Sequence, residues 1–246
     1  MIKTKLLERY GLVHKAVCNL YNSGSSTQNI LSSIALGDGR EHAVFKRARV
    51  TTSDGEEIVD ELVQDGIITS QKAKPMGHLN VEQGTLSDKL YFQSPFLRFW
   101  FAFVSPLFKG IKEGNYDEVK ERFDNRFSEF LNLIFVQLSQ ELLKQNFQED
   151  WLSEVRSYWD KDIELDIMAK TKSGKLIVGS CRYSNSKVKK SELTLLQEKC
   201  KISGIEADIF VLFSKKGFSN ELKSLKGENL KLYSVKNFKS LTKEGK

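Results

Sequence analysis

The chain has few of the residues on which small catalytic sites are built: 3 histidines, 3 cysteines and 3 prolines among 246 residues. Cys18, Cys181 and Cys200 are odd in number and form no CxxC pair, which excludes a disulfide framework and a cysteine-based zinc site and suits a reduced, cytoplasmic protein. His14, His42 and His78 all lie in the first third without ligand spacing, and there is no HExxH or GxSxG. Zinc and serine hydrolysis therefore lose their usual residues. SGK at 173–175 lacks the upstream glycine of GxxxxGK[ST], so the chain is not an ATPase by itself. The longest apolar run, 96–108, holds Arg98 and is too short to span a bilayer. The N-terminus, MIKTKLLERYGLVHK, is expected to carry no signal peptide, since it lacks an apolar stretch and a small-residue cleavage site.

What is present is globular: 40% apolar, 28% charged and 11% aromatic residues suffice for one large domain or two modest ones. The net charge of +6 is uneven. Residues 1–89 hold 11 basic and 11 acidic side chains, so the whole excess falls on 90–246, and 214–246 carries 9 Lys against 3 Glu. A basic C-terminal half suits a polyanion such as DNA.

Periodicity predicts helices over 2–22, near TQNILSSIAL, and over 54–65, the last with Asp54 as N-cap and Gly66 as stop. GIITSQK reads as a strand closing these three helices, a winged-helix-like arrangement. Arg40, Lys46, Arg47 and Arg49 read as a basic loop before the third helix, which is itself acidic through Glu56, Glu57, Asp60, Glu61 and Asp65. An acidic helix opposes a phosphate backbone and favours a protein contact. Residues 71–94, polar and with Pro75, Gly77 and Gly84, read as a linker. Domains of 1–89 and 90–246 follow.

Residues 118–147 carry the longest helix signal, with Phe123, Phe127, Phe130, Ile134, Leu138 and Leu142 on one stripe. The period then falls to two. In 162–170, Ile163, Leu165, Ile167 and Ala169 are expected on one face and Asp162, Glu164, Asp166 and Met168 on the other; 176–183 returns as the hairpin partner. A strand at 153–159, a helix at 191–203 starting at Ser191, a strand at 207–213, a short helix at 219–226 and a strand at 230–235 complete a mixed sheet flanked by helices, an α/β fold.

The hairpin is where chemistry could sit. A nuclease of the PD-(D/E)xK type places an acid on one strand, and an acid and a lysine two apart on the next. Two carboxylates then hold Mg²⁺ while the lysine orients water. The corresponding positions are Asp166, Ser180 and Arg182.

Five blocks, YFQSPFLRFWFAFVSPLFKGIKEG (91–114), FSEFLNLIF (127–135), YWDKDIELDIMAK (158–170), GSCRYSNSKV (179–188) and VLFSKKGFSNELKSL (211–225), resemble in order the C-terminal domain that follows a winged helix in archaeal-type AAA ATPases. The resemblance implies a restriction-endonuclease-like mixed sheet behind a small, mostly helical winged-helix-like domain. Glu129, Glu164 and Asp166 match that family's acids. Ser180 stands where it has a glutamate and Arg182 where it has a lysine, and the ATPase domain that usually precedes the pair is missing from this sequence. Asp166 is the metal ligand the pattern retains, with weak Mg²⁺ binding expected, and Glu164 or Asp166 is expected to pair with Arg182. The leading expectation is a cytoplasmic, non-membrane, DNA-binding protein with a degenerate nuclease-like domain. The alternatives are an active Mg²⁺-dependent nuclease, in which a neighbour such as Lys170 replaces the lysine, and a partner-binding regulator of an AAA ATPase supplied in trans. Phe99, Trp100, Phe101 and Phe103 are expected in the core.

Overall fold

Residues 6–21, 24–73, 86–160 and 163–242 are described by the computed structural model. They fall into two units, 6–73 with 86–130, and 131–242. Among them no helix is long and apolar enough to cross a membrane.

The first unit runs α1 (Tyr10–Cys18), α2 (Ser25–Ala35), α3 (Glu41–Ala48), α4 (Thr52–Gln64), β1 (Ile68–Gln71), β2 (Lys89–Phe92), α5 (Pro95–Phe103), α6 (Phe108–Lys112) and the first part of α7 (Asp117–Asn146). Ile30, Leu31 and Ile34 form one buried face of α2, as the helical repeat requires. The N-cap of α4 is Thr51, whose hydroxyl accepts the Asp54 amide at 3.2 Å, and not Asp54 itself. The expected basic loop is a helix. Val44, Phe45 and Ala48 are buried at i, i+1 and i+4, a short apolar pattern interrupted by Lys46 and Arg47, and Arg49 closes α3 in the left-handed region at φ 58°.

The expected linker also carries structure. Residues 89–92 pair antiparallel with β1 from Ile68↔Phe92 to Gln71↔Lys89, and Arg40 bridges Lys89 on the other side. KLYF alternates too briefly for its pairing to be read from sequence. Residues 74–85, including Pro75, Gly77, His78 and Gly84, lie outside the described residues. Residues 90–130, placed by the sequence reading in its second domain, group with the first unit: α5 packs on α2, Trp100 stacks on Tyr10 at 5.5 Å, and α5 and the start of α7 share one aromatic cluster. Phe103 lies 5.3 Å from Phe123 and 5.5 Å from Phe130 between ring centroids. Trp100, Phe101 and Phe103 are fully buried and Phe99 is half-buried.

Arg98 is buried within this apolar surround. Its guanidinium donates from Nε to the Ala35 carbonyl at 3.2 Å and from Nη1 to the Phe130 carbonyl at 2.8 Å, and it lies over the Phe130 ring at 4.3 Å. Burial lowers its pKa to about 10, against the opposing charge of Glu129. One rigid fork thus satisfies carbonyls from two elements and stacks on an aromatic face, which a lysine cannot do.

The second unit contains the rest of α7, then β3 (Leu152–Trp159), β4 (Glu164–Thr171), β5 (Leu176–Arg182), α8 (Lys190–Ile202), β6 (Ile209–Ser214), α9 (Asn220–Ser224), β7 (Leu230–Ser234) and a 3-10 segment (Val235–Thr242). The strands lie in sequence order, β3-β4-β5-β6-β7. β3, β4 and β5 are antiparallel neighbours joined by short connections, whereas β5, β6 and β7 are parallel and reached through α8 and α9. The result is an open mixed sheet flanked by helices. One core layer packs Leu193, Leu196, Cys200 and Leu222 of α8 and α9 on Leu165, Met168, Val178 and Leu212. The other packs Phe135, Val136, Leu142 and Leu143 of α7 on Ile167, Ala169, Ile177, Val211 and Phe213.

Three sequence expectations change here. Of the expected stripe, Phe130 and Leu142 are buried but Leu138 is exposed, and Phe135, Val136, Ser139 and Leu143 are buried beside it. α8 begins at Lys190 after Lys189, with no side-chain cap from Ser191. The strict alternation of 162–170 breaks: Ile163 and Leu165 share a core layer with Met168, opposite Ile167 and Ala169. The register explains it, since Tyr158 pairs Leu165 but Arg156 pairs Met168, leaving Asp166 and Ile167 opposite the single residue Ser157. An inserted residue of this kind is a β-bulge, and it re-aims every side chain beyond it. Asp162 lies outside the described residues.

Arg98→Ala should lower stability by about 2–4 kcal/mol, because it strands two buried carbonyls and opens a gap under Phe130. Urea unfolding of the whole chain reads this, with Arg98→Lys recovering only a minority of the loss.

Candidate functional site

The bulge positions Asp166. Its carbonyl accepts from Ser157 Oγ at 3.0 Å and Gln140 Nε2 at 3.1 Å, so a strand and α7 together hold the irregular backbone. The carboxylate accepts the backbone amide of Cys181 through Oδ2 at 2.7 Å. β5 then needs a close approach at Gly179. A Cβ there would lie 2.5 Å from Val211 Cγ2 and 3.1 Å from Ile167 Cβ, so only glycine fits beside the bulge without displacing a neighbouring strand.

Ser180 and Arg182 project from the same strand toward Glu192 in the first turn of α8. Ser180 Oγ donates to Glu192 Oε1 at 2.7 Å and lies 3.4 Å from Asp166 Oδ2. Arg182 Nη2 lies 2.6 Å from Glu192 Oε1, and Nη1 lies 3.8 Å from Asp166 Oδ2. Arg182 does approach Asp166, as expected, but its closer partner is Glu192. Glu164 and Lys199 complete the rim, the Lys199 ammonium donating to the Glu164 carbonyl at 2.9 Å. The cavity enclosed by Glu164, Asp166, Ser180, Glu192 and Lys199 measures about 10 Å³, the size of one water.

The electrostatics follow from this closure. Burial pushes the Asp166 carboxyl up, with Glu164 adding repulsion, against the Cys181 amide and Arg182. Burial also works against the Glu192 carboxylate, but hydrogen bonds from Arg182 and Ser180 outweigh it and hold its pKa below the usual range. Arg182 is held above its ordinary value: burial opposes its charge, but Glu192 and Asp166 prevail. Mg²⁺ does not fit this arrangement. The guanidinium already pairs with Glu192 and faces Asp166, Ser180 offers a neutral hydroxyl, and a second cation would meet a fixed positive charge. Among the described residues no group of three or more His, Cys, Asp or Glu side chains could hold a metal ion.

Four of the five residues singled out from sequence, Glu164, Asp166, Ser180 and Arg182, thus line or border one site in the second unit. Glu129 belongs to the first unit, where it accepts from Arg126 Nε at 2.6 Å. That hydrogen bond lowers its pKa against partial burial, with Arg98 contributing. Lys170 is exposed further along β4. Glu192 is the residue the sequence reading misses. Its only signal is an acid in the first turn of the helix after the hairpin, a position usually occupied for the helix dipole alone.

Over residues 100–194 the chain is similar to a family, DUF234, described as archaeal and bacterial proteins of unknown function. The matched span contains Asp166, Ser180, Arg182 and Glu192. No curated protein and no solved structure matches the chain.

The Glu192 pKa is lowered on folding, so its contribution is fully present above the unfolded value and lost as pH falls through the folded one. Between about pH 5 and pH 3 the wild type should lose more stability than Glu192→Gln. Urea midpoints across that window test this, and parallel acid limbs would contradict it.

Proposed function

We propose that the second unit is a catalytically silent PD-(D/E)xK-type domain that binds nucleic acid, preceded by a winged-helix-like module. The observation that carries the first part is the position of Arg182, bonded to Glu192 and facing Asp166 where an active site of this type needs a cation. The order of helix, three strands, helix, strand, helix and strand supports a restriction-endonuclease-like sheet. For the first unit, α2, α3 and α4 are followed by the β1–β2 pair, with Arg40 bridging Lys89, an order that suits a winged helix.

Within that module α4 presents an acidic face. Glu56, Glu57, Asp60 and Glu61 are exposed on α4. Burial, then the neighbouring Asp88, Glu56 and Asp60, raises the pKa of Glu41 on α3, against Lys72. Such a face repels phosphate and suits a basic protein partner, a separate AAA ATPase among the possibilities, so nucleic acid binding is assigned to the second unit.

Purified protein is expected to shift DNA in a salt-dependent way and to leave a supercoiled plasmid intact with Mg²⁺ or Mn²⁺. The double substitution Ser180→Glu with Arg182→Lys should raise metal-dependent nicking above the wild type. It supplies a third carboxylate beside Asp166 and Glu192 and a compact ammonium in place of the fork. Wild-type nicking that disappears in Asp166→Ala would instead establish an active nuclease.

A further inference from the structure

β5, β6 and β7 run parallel, so their carboxyl ends and the loops that follow open on one edge of the sheet, where ligands of open α/β sheets commonly sit. At that edge lies a second cleft, of about 620 Å³, lined by Lys187, Lys215, Lys216, Lys223, Lys226 and Lys236. No carboxylate lines it, and among the described residues none of the six ammonium groups is ion-paired to one. The ion pair of Lys190 with Glu221 at 3.6 Å involves none of the lining residues. Phe218, Leu232 and Val235 contribute apolar surface between the lysines.

The lysines stand on a fixed frame. The loop after β5 is tied to the loop after β6 by Val188 N donating to Gly217 O at 2.9 Å and Ser219 N donating to Val188 O at 2.9 Å. Ser214 Oγ donates to Gly217 O at 2.8 Å and closes the turn that carries Lys215 and Lys216. Lys215 is steered further by Asn185 Oδ1 at 3.0 Å and by the Tyr183 ring at 4.2 Å. Its amide donates to the Arg182 carbonyl at 3.1 Å, so the cleft begins where the strand of the closed site ends.

Six like charges held in a concavity repel one another and gain most from a ligand with several regularly spaced negative charges. Ammonium groups are point charges without the planar fork that reads base edges, so they fit a phosphate backbone rather than a particular sequence. A concave wall also accepts a rod, whereas a bilayer surface needs a protruding apolar face. We propose that this lysine cleft is the nucleic acid site of the protein and grips the phosphodiester backbone independently of sequence. The proposal rests on the nucleic-acid-binding reading above and names the surface responsible.

Anisotropy of the whole protein with a fluorescein-labelled DNA duplex of arbitrary sequence, titrated across salt, tests it. If all six lysines meet phosphates, log K should fall against log salt with a slope of about −5. Lys216→Ala/Lys223→Ala/Lys226→Ala should reduce that slope by about 3 and weaken binding at least about tenfold at low salt. Lys172→Ala/Lys175→Ala/Lys201→Ala removes the same charge from the opposite end of the sheet and should leave the slope unchanged. Equal losses in the two variants, or none in the first, overturn the cleft while leaving nucleic acid binding in place. A wild type that binds no duplex overturns the underlying reading. Binding to phosphatidylserine vesicles without duplex binding overturns both in favour of a membrane surface.

Discussion

Asp166 is the node on which the second unit depends. Its carbonyl, expelled from the ladder by the bulge, is taken up by Ser157 of β3 and Gln140 of α7, and its carboxylate caps the Cys181 amide of β5. Arg182 then extends the connection to Glu192 on α8. One residue therefore joins both faces of the sheet. A buried carboxylate is costly unless its lone pairs are filled, and every partner here is fixed by regular structure on at least one side.

That same satisfaction leaves little charge in the site for a cation to claim. Metal-dependent hydrolysis needs carboxylates whose charge is left for a cation to claim, in a space large enough for the cation and its water. Here a guanidinium claims the charge and the remaining space is about 10 Å³. Ser180 donates to the same Glu192 oxygen that Arg182 reaches, so the two side chains act on α8 together. Both contacts clamp α8 to the sheet.

Charge is divided between the units as clearly as chemistry is. The first buries Arg98 among carbonyls and aromatic rings and presents an acidic helix to solvent. In the second, lysines gather on α9 and on the segments that follow the parallel strands, two of which are tied by the Val188–Phe218 bridge.

The pattern of elements was legible in the sequence wherever periodicity was long. The α7 signal, the 162–183 hairpin and the alternation of strands and helices to residue 235 stand as the residue spacing predicts. Short elements were not: α3 and β2 offer too few apolar positions among basic and polar ones for local spacing to reveal them. Asp166, Ser180 and Arg182 could be placed on neighbouring strands by period-two counting. Their fate could not, because a bulge of one residue and an acid on a helix many residues away are set by packing. Glu192 becomes part of the site only when the crossover helix folds back over the hairpin, and the six lysines of the cleft, spread over 187–236, converge only because parallel strands deliver their loops to one edge. Residue types and periods are local properties and can be read from a sequence. Which charges neutralise each other depends on distances that only the closed fold creates.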